Sequence, residues 1–145
     1  MSLNPIRHEY VVDCGPDRAF DAYANRMSQW WDPKYTADPE TFEGVSIEPR
    51  LGGEVIETNR GHQRIPWGQV TVWEPGRQLS YTSTLAQTRK SPSEITVLFT
   101  PDGDRCRVVF EHGGWNEENK QDSSKFRDWP VILKRFVALA ERPDG

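Results

Sequence analysis

The sequence predicts an α+β domain in which a curved, seven-stranded antiparallel sheet wraps around a long C-terminal helix, with two short helices after the first strand. Three observations lead there. Period-two alternation opens the chain from Ile6 to Cys14. Turn residues cut the stretch after Phe42 into six short strands. A single 3.6-period apolar stripe then closes the chain, and no other segment is long enough to cover the apolar face of such a sheet.

In the first strand His8, Tyr10, Val12 and Cys14 share one face, and Gly15-Pro16-Asp17 ends it. Pro16 suits a first helical turn, and Ala19, Phe20 and Tyr23 recur at helical spacing, which predicts a helix over about Pro16 to Asn25. Met27 to Trp31 adds a turn, stopped by Asp32-Pro33 because the residue before proline is pushed out of the helical region. Neighbours on a turn point apart, so one of Trp30 and Trp31 is expected inside and the other near the surface. Turn chemistry at Pro49 to Gly53, Asn59 to Gly61, Glu74 to Gly76, Lys90 to Pro92 and Pro101 to Asp104 divides an antiparallel meander. Its last hairpin places Ile95, Val97 and Phe99 on one face, turns at Asp102-Gly103 and returns with Cys106, Val108, Phe110 and His112. Gly113-Gly114 lets the chain leave the sheet, and Asn116 to Gln121 reads as a solvated helix start. Phe126, Trp129, Leu133, Phe136, Val137 and Ala140 form the final stripe, with Pro130 either kinking the helix or opening its main part. The matching periods of the first and last strands suggest pairing with residue numbers summing to 120, which sets Cys14 opposite Cys106 and His8 opposite His112.

Composition narrows the function. Sixteen aromatic residues, six of them Trp, sit in a 145-residue chain that is only 35% hydrophobic, so rings must supply much of the interior. Length and pattern fit a single domain over residues 1–145. A net charge of −4 gives no basic field for nucleic acid, and no apolar run approaches the roughly 18 residues of a membrane span. No signal-like run opens the chain, and a cytoplasmic location is expected. Cys14 and Cys106 lack metal or redox spacing and read as free packing thiols.

Trp30-Trp31-Asp32-Pro33, Ile47-Glu48-Pro49-Arg50-Leu51-Gly52-Gly53, Trp67-Gly68-Gln69-Val70, Trp73-Glu74-Pro75 and Phe110-Glu111-His112-Gly113-Gly114-Trp115 together resemble the bacterial homologues of the heat-shock-protein ATPase activator, within the START-like (SRPBCC, helix-grip) superfamily. The resemblance runs from about Ile6 to Leu139 and rests on order and spacing, no single motif being diagnostic. It implies a helix-grip fold with a cavity between sheet and C-terminal helix that in many members holds an apolar or amphipathic molecule, and it implies no shared catalytic residue.

Candidate chemistry is sparse. His112-Gly113-Gly114 has the look of an oxyanion loop, but the sequence lacks a nucleophile elbow. His8, His62 and His112 are scattered; His8 and His112 beside Glu57 could hold a divalent ion, yet a hydrogen-bonded buried pair is the simpler account, so no metal and no cofactor are expected. His62 reads as a solvated turn residue. The expected ligand wall comprises Trp67, Phe99, Phe110, Trp129, Leu133 and Phe136, with His8, Tyr10, Glu57, Tyr81 and His112 as polar anchors, because rings mixed with inward polar groups suit a pocket better than a dry core. A noncatalytic binder of a hydrophobic small molecule is therefore the first expectation. A protein-interaction module with a chaperone or other partner is the second, and a cyclase-like or hydrolytic enzyme using His112 as general base is the third.

Overall fold

The computed structural model describes residues 5–32, 34, 40–61, 63–83, 92–115 and 129–142. Strand β1 (Ile6–Val12) leads through helix α1 (Pro16–Ala24) and the single turn α2 (Met27–Trp30) into β2 (Phe42–Ile47), β3 (Glu54–Asn59), β4 (Gln63–Glu74), β5 (Gln78–Ser83), β6 (Ser93–Asp102) and β7 (Arg105–Gly113), and ends in α3 (Trp129–Ala140). The strands form one curved antiparallel sheet in the order β1-β7-β6-β5-β4-β3-β2, a meander closed by the return of β1 to β7, and α3 lies against its concave face. This is the helix-grip α+β fold expected from the sequence.

Local chemistry explains most boundaries. Pro16 sits in the first turn of α1, where its missing N–H costs nothing. Pro130 lies within α3, which is one helix over its described residues Trp129–Ala140. Phe126, the 116–121 segment and His62 lie outside the described residues. The last hairpin turns through Gly103 and Asp104, one residue later than expected, because Asp102 pairs with Arg105 and Gly103 takes the positive φ of 64°.

Two expectations need correction. The β1–β7 register sums to 118: Val12 faces Cys106, Ile6 faces His112 and His8 faces Phe110. Cys14 lies beyond the end of β1, and the two histidines stand one inward position apart. A slip of two keeps every side chain on its face, which is why alternation alone could not exclude it. The second correction concerns Trp30 and Trp31, which are both buried at 1% and 2% exposure. Trp30 closes α2, whereas Trp31 has extended backbone (φ −62°, ψ 136°), so the helical divergence of neighbours does not apply to the pair.

The core is continuous, running from Val12, Phe20 and Phe99 near one end of the sheet, through Tyr23, Tyr81, Leu133 and Phe136, to Trp31, Trp67, Phe110 and Trp129. Gly68 permits the closest backbone approach, since a Cβ there would lie 1.8 Å from the Thr82 carbonyl oxygen. Ser28 of α2 occupies the free edge of β2: its Oγ accepts from the Val45 N–H at 2.9 Å and donates to the Val45 carbonyl at 2.7 Å. That contact blunts an edge that could otherwise pair with another strand.

Candidate functional site

Alternation on β7 turns Cys106, Val108, Phe110 and His112 inward, and the same period on β6 turns in Ser93, Ile95, Val97 and Phe99. On β3 the inward set includes Val55, Glu57 and Asn59, so a carboxylate and an amide enter the concave face with no exposed surface. Above them Trp129, Leu133 and Phe136 recur at helical spacing along the sheet-facing side of α3.

His112 is held from three sides. The Trp129 indole Nε1 donates to its Nδ1 at 3.1 Å, Ser93 Oγ lies 2.5 Å from its Nε2, and the Trp115 indole donates to its backbone carbonyl at 2.9 Å. An indole N–H can only donate, so Nδ1 accepts and the ring proton resides on Nε2, facing Ser93. Burial holds the imidazole neutral by lowering its pKa from 6.5 to about 3. Ser93 in turn reaches the Ser83 carbonyl at 3.4 Å. A nucleophilic serine needs a histidine nitrogen that accepts its proton; here that nitrogen presents one. The arrangement fixes a dipole in place and is unsuited to general-base work on Ser93.

A second polar group sits on β3 and β4. Glu57 accepts from the Trp67 indole at 3.1 Å and from Asn59 Nδ2 at 2.9 Å, and Asn59 also donates to Thr41 Oγ1 at 3.0 Å. Trp31 joins the two groups, its ring centroid 5.0 Å from that of Trp67 and 5.7 Å from that of Trp129, while Trp129 packs 4.6 Å from Phe110. A third polar element is the contact between Tyr23 and Tyr81, whose hydroxyl oxygens are 2.7 Å apart in the core. Burial raises the pKa of both phenols, so they are neutral.

Of the residues expected at the site, Glu57, Trp67, Phe110, His112 and Trp129 gather around Trp31. Leu133 and Phe136 follow along α3, Phe136 lying 5.3 Å from Tyr23, whose hydroxyl meets that of Tyr81 on β5. Phe99 belongs to another group, edge-on to Phe20 at 5.3 Å. His8 and Tyr10 face inward but remain partly exposed on the edge strand, the His8 ring 6.4 Å from Phe110 with its pKa lowered by partial burial. Sequence reasoning missed Tyr23, Trp31, Asn59 and Ser93 as members. Ser93 was accessible in principle, being in phase with Ile95 and Val97, and Asn59 is in phase with Glu57. A groove of about 330 Å³ also opens between α1 and the last turn of α3, lined by Asp17, Arg18, Asp21, Arg26 and Leu139 among others. Two of its charges pair in the 3.1 Å Arg26–Asp21 ion pair and Arg18 Nε donates to the Ala140 carbonyl at 3.0 Å, and it lies apart from the aromatic site. Both cysteine thiols are shifted upward by burial, Cys106 to about 11, which leaves them protonated and unreactive near neutrality.

Comparison with known proteins accords with this geometry. The chain is similar in fold to protein MLL2253 from Mesorhizobium loti (18% identity, 97% of this chain and 99% of that one, TM-score 0.71). It is similar also to the Aha1 dimer from Colwellia psychrerythraea (17%, 99% and 100%, TM-score 0.68) and to the anthrahydroquino-gamma-pyrone synthase Txn09 (24%, 94% and 97%, TM-score 0.65). No curated protein matches significantly. The profile of the family described as activator of Hsp90 ATPase homolog 1-like protein matches residues 13–141, nearly the whole sheet and all three helices, and the chain belongs to that family.

Proposed function

We propose that the concave face, between the sheet and α3, encloses an apolar or aromatic small molecule and does not transform it. The observation that carries this reading is the wall of Trp31, Trp67, Phe110 and Trp129 built around two internally bonded polar groups, Glu57 and His112. Burying a carboxylate and an imidazole among rings costs free energy that an all-apolar core would avoid, and a few fixed polar atoms in an aromatic wall are what a ligand site uses for orientation. Likeness in fold to an anthrahydroquino-gamma-pyrone synthase supports the same ligand class. Native mass spectrometry of freshly purified protein should reveal a co-purifying small molecule. Thermal-shift screening of aromatic acids and ketones should raise Tm, since a ligand at 100 times its Kd stabilises by about 2.7 kcal/mol. A protein that carries no such mass and responds to none of these compounds refutes the proposal.

Family membership favours a second reading, a module that docks on a chaperone of the Hsp90 type. Adding the protein to the purified chaperone of the same organism should then raise its ATP hydrolysis, and an unchanged rate removes that reading.

A further inference from the structure

The Tyr23–Tyr81 contact has a proton left over. Two phenol hydroxyls carry two hydrogens, and the 2.7 Å bond between them uses one. Among the described residues each hydroxyl has only the other as its hydrogen-bond partner, and the side chains are 0% and 2% exposed. One buried O–H is thus unspent, in a setting where such groups are normally satisfied.

Its position matters. On the inner face of the sheet Val70, Tyr81, Ile95 and His112 form one transverse row, Tyr81 and His112 flanking Ile95. Adjacent strands lie about 4.8 Å apart, so the two backbones stand roughly 10 Å from each other, a distance a two- or three-ring molecule spans. Trp129 and Phe136 overlie the two ends of that span, Trp129 bonded to His112 and Phe136 packed on Tyr23. The pair is chained, one hydroxyl donating to the other, and such a chain strengthens the terminal donor. Both phenols stay neutral, so the terminal group offers a proton and no charge.

We infer that the Tyr23–Tyr81 hydroxyl pair is the acceptor-recognising anchor of the concave face, and that its ligand is an aromatic compound bearing a carbonyl oxygen. This rests on the ligand-site reading above and narrows it. A carbonyl takes one hydrogen bond without bringing a proton of its own, which matches a single surplus donor. A carboxylate would bring charge up against the packed rings of Tyr23, Trp30 and Phe136.

The test uses matched pairs of equal shape: acetophenone with ethylbenzene, 2-acetonaphthone with 2-ethylnaphthalene, and 9-fluorenone with fluorene, titrated calorimetrically into the full-length protein. At least one ketone should bind about tenfold more tightly than its hydrocarbon partner. In the Tyr23→Phe/Tyr81→Phe double variant that preference should vanish while hydrocarbon affinity holds. Removing both hydroxyls leaves no orphaned partner, so the double variant should fold; the single variants Tyr23→Phe and Tyr81→Phe provide the same comparison with intermediate loss. A bound ketone should also show a lowered C=O stretch in the infrared that returns upward in the double variant. Equal affinities within each pair, or a ketone preference that survives in the double variant, overturn this inference and leave the ligand-site reading standing. Binding of neither member of any pair overturns both.

Discussion

Acid should destabilise this protein through His112, and the effect can be isolated. The folded imidazole is held neutral to about pH 3, whereas in the unfolded chain it protonates near 6.5. Between those values the unfolded state binds more protons, so stability is fully present above about pH 6.5 and declines as pH falls toward 3. The limiting slope is about 1.4 kcal/mol per pH unit, and the whole window amounts to roughly 5 kcal/mol. Other groups titrate over the same range, so the comparison is between the natural protein and His112→Gln. In that variant the side-chain carbonyl can accept from Trp129 while the amide donates to Ser93, mimicking the observed tautomer. Urea unfolding at pH 7, 6, 5 and 4.5 should give two stability curves that converge as pH falls, the natural protein losing about 2 kcal/mol more than the variant by pH 4.5. Nitrogen NMR of the ring should report protonation at Nε2 throughout. Parallel curves, or a ring protonated at Nδ1, would refute the bonding assigned to His112.

Other perturbations probe the remaining contacts. Glu57→Leu removes the carboxyl that accepts from the Trp67 indole and from Asn59 Nδ2, and should lower unfolding free energy by roughly 2–4 kcal/mol in urea melts. Ser28→Ala removes both bonds to the edge of β2; because water can reach that edge, the loss should be only about 1 kcal/mol, seen best as faster hydrogen exchange at the Val45 amide. Gly68→Ala places a methyl on the Thr82 carbonyl, a backbone clash that should prevent soluble expression or cost roughly 3 kcal/mol or more. Phe136→Ala should cost roughly 3–5 kcal/mol, since the ring is fully buried against Tyr23 and Trp30.

Periodicity made most of the fold legible before any coordinates. Alternation identified the inward faces of β1, β6 and β7, and the change of period after Gly114 located the helix that covers them. What periodicity carries is phase, and phase is blind to shifts of two residues. Hence the faces of β1 and β7 were right and their register was not, with Val12 rather than Cys14 opposite Cys106. Trp31 shows a related limit. Helical geometry would have turned it away from Trp30, but the extended backbone imposed before Asp32 redirects it into the core, where it joins Trp67 to Trp129.

The polar chemistry was legible only by residue type. Sequence placed His112 and Glu57 inward, yet their meaning depends on which atom faces which, and no spacing rule pairs the indole of Trp129 with a histidine 17 positions earlier. That one bond decides between chemistries. Had a carboxylate stood at Nδ1, the Ser93–His112 contact would have the polarity of a hydrolase dyad, with Nε2 ready to take the serine proton. A donor at Nδ1 reverses the polarity and makes the same two residues a static anchor. The buried Tyr23–Tyr81 pair belongs to the same category: each tyrosine alone is an ordinary core ring, and only their 2.7 Å approach reveals a donor in excess. Aromatic abundance therefore marks where this protein keeps its interior, while the direction of the Trp129–His112 bond fixes how His112 and Ser93 face one another inside it.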